Sequence, residues 1–495
     1  MPVFQHHELS ELLANAGILP LFGFPSRVRS LYSRRVDRRS GLAASVVADR
    51  QLDQAVSSFA PGAVVVKDGR EHLCVGFATY DFQGDRAQAV DPLAQPLIVQ
   101  RCTECGSLLT NPPPAEEPRC GVCNGGVHRY QVFQPKGFRT IYSAPDFDDN
   151  HETPQYQSYL ELSASDVGES PTRTGSLSHT VLEQAEVVQV NDNNRRLFEM
   201  AKLSDRSVVV TDRDLYQRGL PKFMQEGQKL EAAAIGEVRR TDVLLINMDD
   251  ARLEGGVIPT QPELCPAGLP AMLSFAEVLR RAAKAFLDID EAELEVGLQP
   301  SRSKSLVTAR VFVADATDNG AGFAVELGEP SILKRMLSQI RTEMGEQLRA
   351  PGHAEMCTSS CPRCLRNYQN RFTHWALDWR LAMDVVDLSL GEPLIMAHWQ
   401  QRAVELAEGF IQAFVPFGQL RLEEADGATV LVNEQAGGSA VILGHPLWRR
   451  EADGWNAAQQ ATHARLASRG VSKVAMSDLF TLDRTPFQVF TQLIV

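Results

Sequence analysis

The sequence predicts a multidomain mixed α/β protein, α+β in character, with an inserted four-cysteine zinc ribbon and a second cysteine-rich, helical metal-binding region. Three observations predict it. Short apolar strand runs alternate with helix-period stretches along 495 residues; seven of nine cysteines fall in two tight groups; and 44% hydrophobic with 22% charged residues is the composition of a chain that buries a large core. That length exceeds one ordinary core. No apolar run approaches the roughly 20 residues of a membrane span, and Met1-Pro2-Val3-Phe4 opens no secretory leader, so a cytoplasmic protein is expected. The formal net charge of −13 excludes a protein that coats nucleic acid over its whole surface.

In chain order, residues 1–100 form an α+β region. It opens with an amphipathic helix over Leu9 to Ala16, stopped by Gly17 and a Pro-bounded turn through Pro25. Arg27, Arg29, Arg34, Arg35, Arg38 and Arg39 then fall within thirteen residues. This cluster reads either as a phosphate-binding patch or as a solvated or partner-docking face. A helix at Leu52 to Phe59 and a strand at Ala63 to Val66 follow, and Asp68-Gly69 is a hairpin signal. Residues 101–130 hold the ribbon. Residues 131–264 are β-rich, with a long polar, exposed loop expected over 146–180.

Residues 265–390 alternate helix and strand. Leu273, Ala276, Leu279, Ala283 and Phe286 share one helix face; Ala309 to Ala314 reads as a strand, Asp318 to Gly322 as a turn, and Ile332 to Leu348 as a helix. Residues 391–495 form a C-terminal α/β segment. Its expected elements are a helix to about Phe414, strands at Ala428 to Val432 and Ala440 to Leu443, a helix at Asn456 to Ser468 and a strand near Val471 to Met476.

The chemistry concentrates in the cysteines. Cys102-x2-Cys105-x14-Cys120-x2-Cys123 places two thiolates on each of two knuckles, enough to close a tetrahedral zinc shell with no position left for a catalytic water; iron–sulfur ligation is the alternative. Cys357-x3-Cys361-x2-Cys364 offers three ligands of a second zinc site, with His374 as the fourth and Cys265 and His353 as rivals for that place. Three reduced cysteines without metal is the competing reading.

Other signatures are missing. No Gly-x4-Gly-Lys-Ser/Thr loop occurs, so no ATPase is expected of this chain, and Asp318-Asn319-Gly320-Ala321-Gly322 reads as tight packing because no lysine follows it. Asp426, Glu434, Asp478 and Asp483 are the carboxylates a metal-dependent nuclease would have to cluster, and His445-Pro446-Leu447-Trp448 lacks a partner lysine. Not an enzyme is therefore the expectation, with a nuclease or a purely structural scaffold as alternatives.

The Asp318 to Gly322 turn, the helix after it, and Cys357-x3-Cys361-x2-Cys364-Leu-Arg-x-Tyr-x-Asn with His374-x2-Leu377-Asp378 resemble the C-terminal domain of unknown function of superfamily 2 helicases, including the metal-binding region of MrfA-like repair helicases. Leu19 to Pro25 and Leu52 to Gly62 are similar to segments of the same group. A chain with both features and no motor most closely resembles the DrmB family of the DISARM antiphage system. That resemblance implies a DrmA-like superfamily 2 helicase as partner, DNA engaged through the complex, and a role in restricting phage. Where the helicase-linked members carry a further cysteine two positions before Cys357, this chain has Glu355.

Overall fold

The structure is a computed structural model that describes residues 27–36, 45–83, 86–147, 157–164, 171–212, 215, 217–218, 227–248, 257–303, 305–414, 416, 419–425, 428–434, 438–448, 450 and 455–494. The helix expected over Leu9 to Ala16, the turn through Pro25, Arg38, Arg39 and Asp426 lie outside the described residues. The chain divides into two compact units. The first is Met1–Val167 with Gln184–Thr241 and Thr317–Gly320; the second is Gly168–Glu183 with Asp242–Ala316 and Ala321–Val495. The expected stretch 131–264 is thus divided between the two units, 265–390 gives 317–320 to the first, and the ribbon lies inside the first.

In the first unit one sheet runs in the order Gln228–Lys229, Met200–Lys202, Val208–Val210, Arg70–Phe77, Phe138–Thr140, Val28–Tyr32, Val46–Gln51. Val28–Tyr32 is parallel to Phe138–Thr140, and the other pairings along this order are antiparallel. The helix Leu52–Ser58 lays Leu52, Ala55 and Val56 on this sheet, and Phe59 meets Phe138 edge-on at 5.6 Å between ring centres. The hairpin signal holds: Lys67 pairs with Arg70, and Asp68 (φ 52°) and Gly69 (φ 70°) both adopt the left-handed backbone a two-residue turn requires. A second set of strands, Leu97–Cys102, Leu108–Thr110 and Val127–Phe133, carries the ribbon.

Two expectations change here. The stretch 146–180 is not one exposed loop: Tyr159–Leu162 pairs antiparallel with residues 187–190, and Thr172–Thr174 pairs with residues 177–179 across Gly175 (φ 65°). Polar composition hid strands whose ladder hydrogen bonds need no apolar side chains. The arginine cluster is also divided. Arg27 is half-buried, bonding Glu237 (3.3 Å), Asp318 (2.9 Å) and the Val238 carbonyl (2.7 Å), and Arg29 Nε donates to the Pro135 carbonyl; Arg34 and Arg35 are the exposed members among the described residues. Arg27 and Arg29 brace the fold, because buried carboxylates and carbonyls demand partners. Arg27→Ala should leave Glu237 with only Arg239, 3.8 Å away, and lower the stability of this unit by about 2 kcal/mol. A shift of the urea midpoint at unchanged m-value checks it.

In the second unit the helix Gly268–Leu287 packs across the hairpin Leu294–Ser303/Leu306–Asp315 and against the helix Trp379–Ser389. The helix expected over 332–348 is present but not uniform: Pro330–Gln339 is α, Ile340–Met344 a π-helical turn, and Gly345–Arg349 α again. The turn drives Arg341 onto Asp387 (2.8 Å) and Glu392 (3.1 Å). The C-terminal sheet runs Leu420–Ala425, Ala428–Asn433, Ser439–Gly444, Lys473–Asp478, with the last pair parallel. Its alternation is visible in the packing. Val430, Val432, Ala440 and Ile442 face the helix Ala457–Ser468 through Leu466, while Leu431, Val441 and Leu443 join Phe410, Val489 and Phe490 on the other side. The strand Leu420–Ala425 and the last two helices, Leu479–Arg484 and Pro486–Ile494, were not expected.

No helix among the described residues is long and apolar enough to cross a membrane.

Candidate metal centres

In the ribbon the strand Leu97–Cys102 ends on its first ligand, and the turns at Cys102 to Cys105 and Cys120 to Cys123 bring the two pairs together. Cys102 Sγ lies 3.4 Å from Cys123 Sγ, and Cys105 Sγ lies 3.6 Å from Cys120 Sγ. A disulfide needs about 2.05 Å. Four thiolates about 2.3 Å from a tetrahedral zinc stand roughly 3.8 Å apart, so these separations are those of ligands sharing an ion. Backbone amides support the sulfurs: Glu104 and Cys105 N–H donate to Cys102, Val122 N–H to Cys120 and Gly125 N–H to Cys123. Burial works against ionising Cys102, but the Cys105 and Glu104 amides outweigh it and hold that thiol down to about 7.

The second centre joins His353, Cys357, Cys361 and Cys364, whose ligand atoms all lie within 4.8 Å of one another. Cys357 Sγ is 3.8 Å from Cys364 Sγ, and Cys361 Sγ is 3.6 Å from His353 Nε2. His353 Nδ1 stands 2.9 Å from the Leu348 carbonyl. A carbonyl only accepts, so Nδ1 carries the proton and Nε2 turns its lone pair toward the sulfurs, as a zinc-bound imidazole must. Trp379 fixes the ring edge-on at 5.7 Å and donates its Nε1–H to the Cys357 carbonyl. The Cys357 thiol, helped by the Cys361 N–H, holds Cys364 down to about 5 against its burial. Three soft sulfurs and one imidazole suit zinc and close its shell.

This corrects the expected fourth ligand. His374 Nε2 is turned instead to Asn370 Oδ1 (2.8 Å) and the Asn367 carbonyl (3.0 Å). Cys265 is buried with its thiol against the Pro446 carbonyl, and burial raises it to about 12. The signal that could have chosen His353 is its place four residues before Cys357 on the turn Pro351–Ala354, which keeps both on one helical face.

Asp378 caps the helix that carries Trp379, accepting from the Arg380 amide at 2.8 Å. Burial, opposed by Arg380, pushes its carboxyl up to about 7. The folded chain then keeps a proton that the unfolded chain loses near pH 4, so stability falls as pH rises from about 4 to 7, by on the order of 4 kcal/mol in total. Asp378→Asn keeps the cap and should flatten that decline, read from unfolding midpoints across the range.

The remaining candidates are engaged separately. Asp315 accepts from the amides of Ala321 (2.6 Å), Gly322 (2.7 Å) and Ala324 (2.8 Å), so its own carboxylate fills the cradle of the Gly-rich turn. Glu434 pairs with Arg421, Asp478 with Arg450, and Asp483 with Arg402 and Arg484. Among the described residues the groupings able to hold a metal are the two cysteine centres. A cleft of about 50 Å³ beside Trp379, Arg380 and Asp384 is far smaller than the roughly 300 Å³ at which ligand pockets begin.

The chain is 22% identical over 418 residues to the Druantia protein DruE of Escherichia coli (strain UMEA 4076-1), a match covering 78% of this chain and 22% of that one. It therefore spans about a fifth of that relative's length. Among solved structures it is similar to the DUF1998 helicase MrfA bound to DNA, at 12% identity and a TM-score of 0.32, covering 73% of this chain and 34% of that one. Residues 275–365 match the MrfA Zn-binding domain family, and the matched span holds all four ligands of the second centre.

Proposed function

We propose that the chain is a non-ATPase accessory subunit of a superfamily 2 DNA helicase, DrmB-like, which pairs with a DrmA-type motor and engages DNA within that complex in cytoplasmic antiphage defence. The observation that carries this reading is the MrfA Zn-binding domain match with its ligand set complete. The similarity to a Druantia protein supports it. Both metal centres are closed by four protein ligands, so bound zinc would brace the chain and leave the chemistry to the motor. Among the described residues the same dispersal of Glu434, Asp478 and Asp483 among arginines offers a nuclease no shared metal pocket.

A tagged pull-down from native cells tests it, with mass spectrometry of the partners and a DNA-stimulated ATPase assay. A helicase recovered at near-equal amount, with ATPase in the complex and none in the isolated chain, is the expected result. A solitary protein that cleaves DNA with magnesium overturns it.

A further inference from the structure

Three of the large hydrophobic side chains left in solvent fall within twenty residues of the second metal centre: Met356 is 77% exposed, Tyr368 79% and Trp375 62%. Residues 356–375 also contain Arg363, Arg366 and Arg371 and no Asp or Glu, in a chain of net charge −13. A zinc held by three thiolates and an imidazole contributes only one net negative charge, so the segment stays cationic. Glu277 and Glu291 are both paired with Arg280, at 2.8 and 2.9 Å, Glu291 also accepting from Asn367 Nδ2 at 3.4 Å, and exposed Glu355 stands just before the segment.

The exposure is not slackness. Asn367 and Asn370 exchange amide-to-side-chain hydrogen bonds (2.9 and 3.0 Å), Asn370 Nδ2 donates to the Leu365 carbonyl (2.8 Å), and His374 closes on Asn370 Oδ1. That network and the Cys361 and Cys364 knuckle hold the loop from both ends. Arg371 lies 4.4 Å from the Tyr368 ring centre and 4.3 Å from that of Phe372, a cation packed against two rings. Arg363 and Arg371 each tether one terminal nitrogen to a backbone carbonyl and Arg366 its Nε to Ser360 Oγ, which leaves most of the five donors of each guanidinium for another acceptor.

We propose that residues 365–375, with Arg363, form a stacking platform for single-stranded DNA, in which Tyr368 and Trp375 receive bases and the arginines receive phosphates. The inference rests on the functional reading above and deepens it by locating a DNA contact on this chain. Preset aromatic faces amid cationic forks are the combination that binds single strands without regard to sequence. A docking surface for a protein would expose the same rings and is separated from this by the test.

Fluorescence anisotropy of a labelled oligothymidylate, titrated with the full-length chain at rising salt, reads the platform. Tyr368→Ala and Trp375→Ala should each weaken binding about tenfold, while Tyr368→Phe binds like the parent. Arg363→Ala should reduce the salt slope by about 0.7. Zinc content unchanged in each variant establishes that the fold is intact. Parent-like binding by both alanine variants overturns the platform and leaves the accessory-subunit reading standing if the helicase still copurifies. Variants that keep the oligonucleotide but lose the helicase make the surface a protein-docking site and overturn it too. Failure to recover any helicase, with the oligonucleotide still lost on substitution, overturns the functional reading and supports the platform.

Discussion

His353→Ala should lower bound zinc from two equivalents per chain to one, whereas His374→Ala should leave both. The difference follows from where each imidazole points. His353 has its Nδ1 anchored on the Leu348 carbonyl, so removing it opens the shell of Cys357, Cys361 and Cys364; His374 is anchored on Asn367 and Asn370 and touches no sulfur. Structural zinc in small modules contributes on the order of 10 kcal/mol, so the loss should unfold the segment around Cys357 to Cys364 and raise its proteolysis. Cys102→Ser should cost the other equivalent and melt the ribbon by the same physics. Metal content by elemental analysis with thiol titration reads all three variants. Two equivalents in His353→Ala would place the fourth ligand elsewhere.

Asp384→Ala should destabilise the second unit by about 5 kcal/mol, lowering its melting temperature by about 10 °C or more. Asp384 is buried in the helix Trp379–Ser389, accepts the Trp399 Nε1–H at 2.9 Å, and lies 3.1 Å from His445 Nε2. His445 is itself fully buried, and the Leu447 amide donates to its Nδ1 at 3.1 Å, so its proton sits on Nε2, close to the carboxylate but out of line for a hydrogen bond. Removing that carboxylate strands the buried Trp399 N–H and takes away the charge that faces the His445 ring. Asp384→Asn keeps the acceptor for the Trp399 N–H and should cost about half as much. Urea unfolding of the two variants side by side decides it, and equal losses would show that charge, not the number of acceptors, is what the pair requires.

The parts of this molecule written in short sequence intervals could be read from the sequence. Both cysteine pairs of the ribbon are local knuckles, Asp68-Gly69 needs only its own two backbone conformations, and the apolar face of Gly268–Leu287 is periodic. The fourth ligand could not be read, because a histidine four residues before Cys357 and one ten after Cys364 are both sterically allowed; the decision is made by the Leu348 carbonyl and by Asn370. Arg27 and Arg29 look like a basic patch until their acceptors at Glu237, Asp318 and Pro135, more than one hundred residues away, are in place. The strands inside 146–180 are held by backbone ladders with partners later in the chain, which side-chain patterning does not report. Tyr368 and Trp375 carry no sequence signal of exposure at all, since aromatic residues are ordinarily core.

The π-helical turn Ile340–Met344 has a consequence for how this chain tolerates length changes. A π turn is an α-helix that has absorbed one extra residue. Deleting a single residue there should let Pro330–Gln339 run on into Gly345–Arg349 as one unbroken helix whose two ends keep nearly their present phase, but the side chains inside the turn itself would be re-aimed. Arg341 sits inside that turn, so its clasp on Asp387 and Glu392 would open. An indel that repairs the local helix thus breaks the attachment of that helix to its neighbour, so the irregular turn is selected by what lies across from it and not by its own residues.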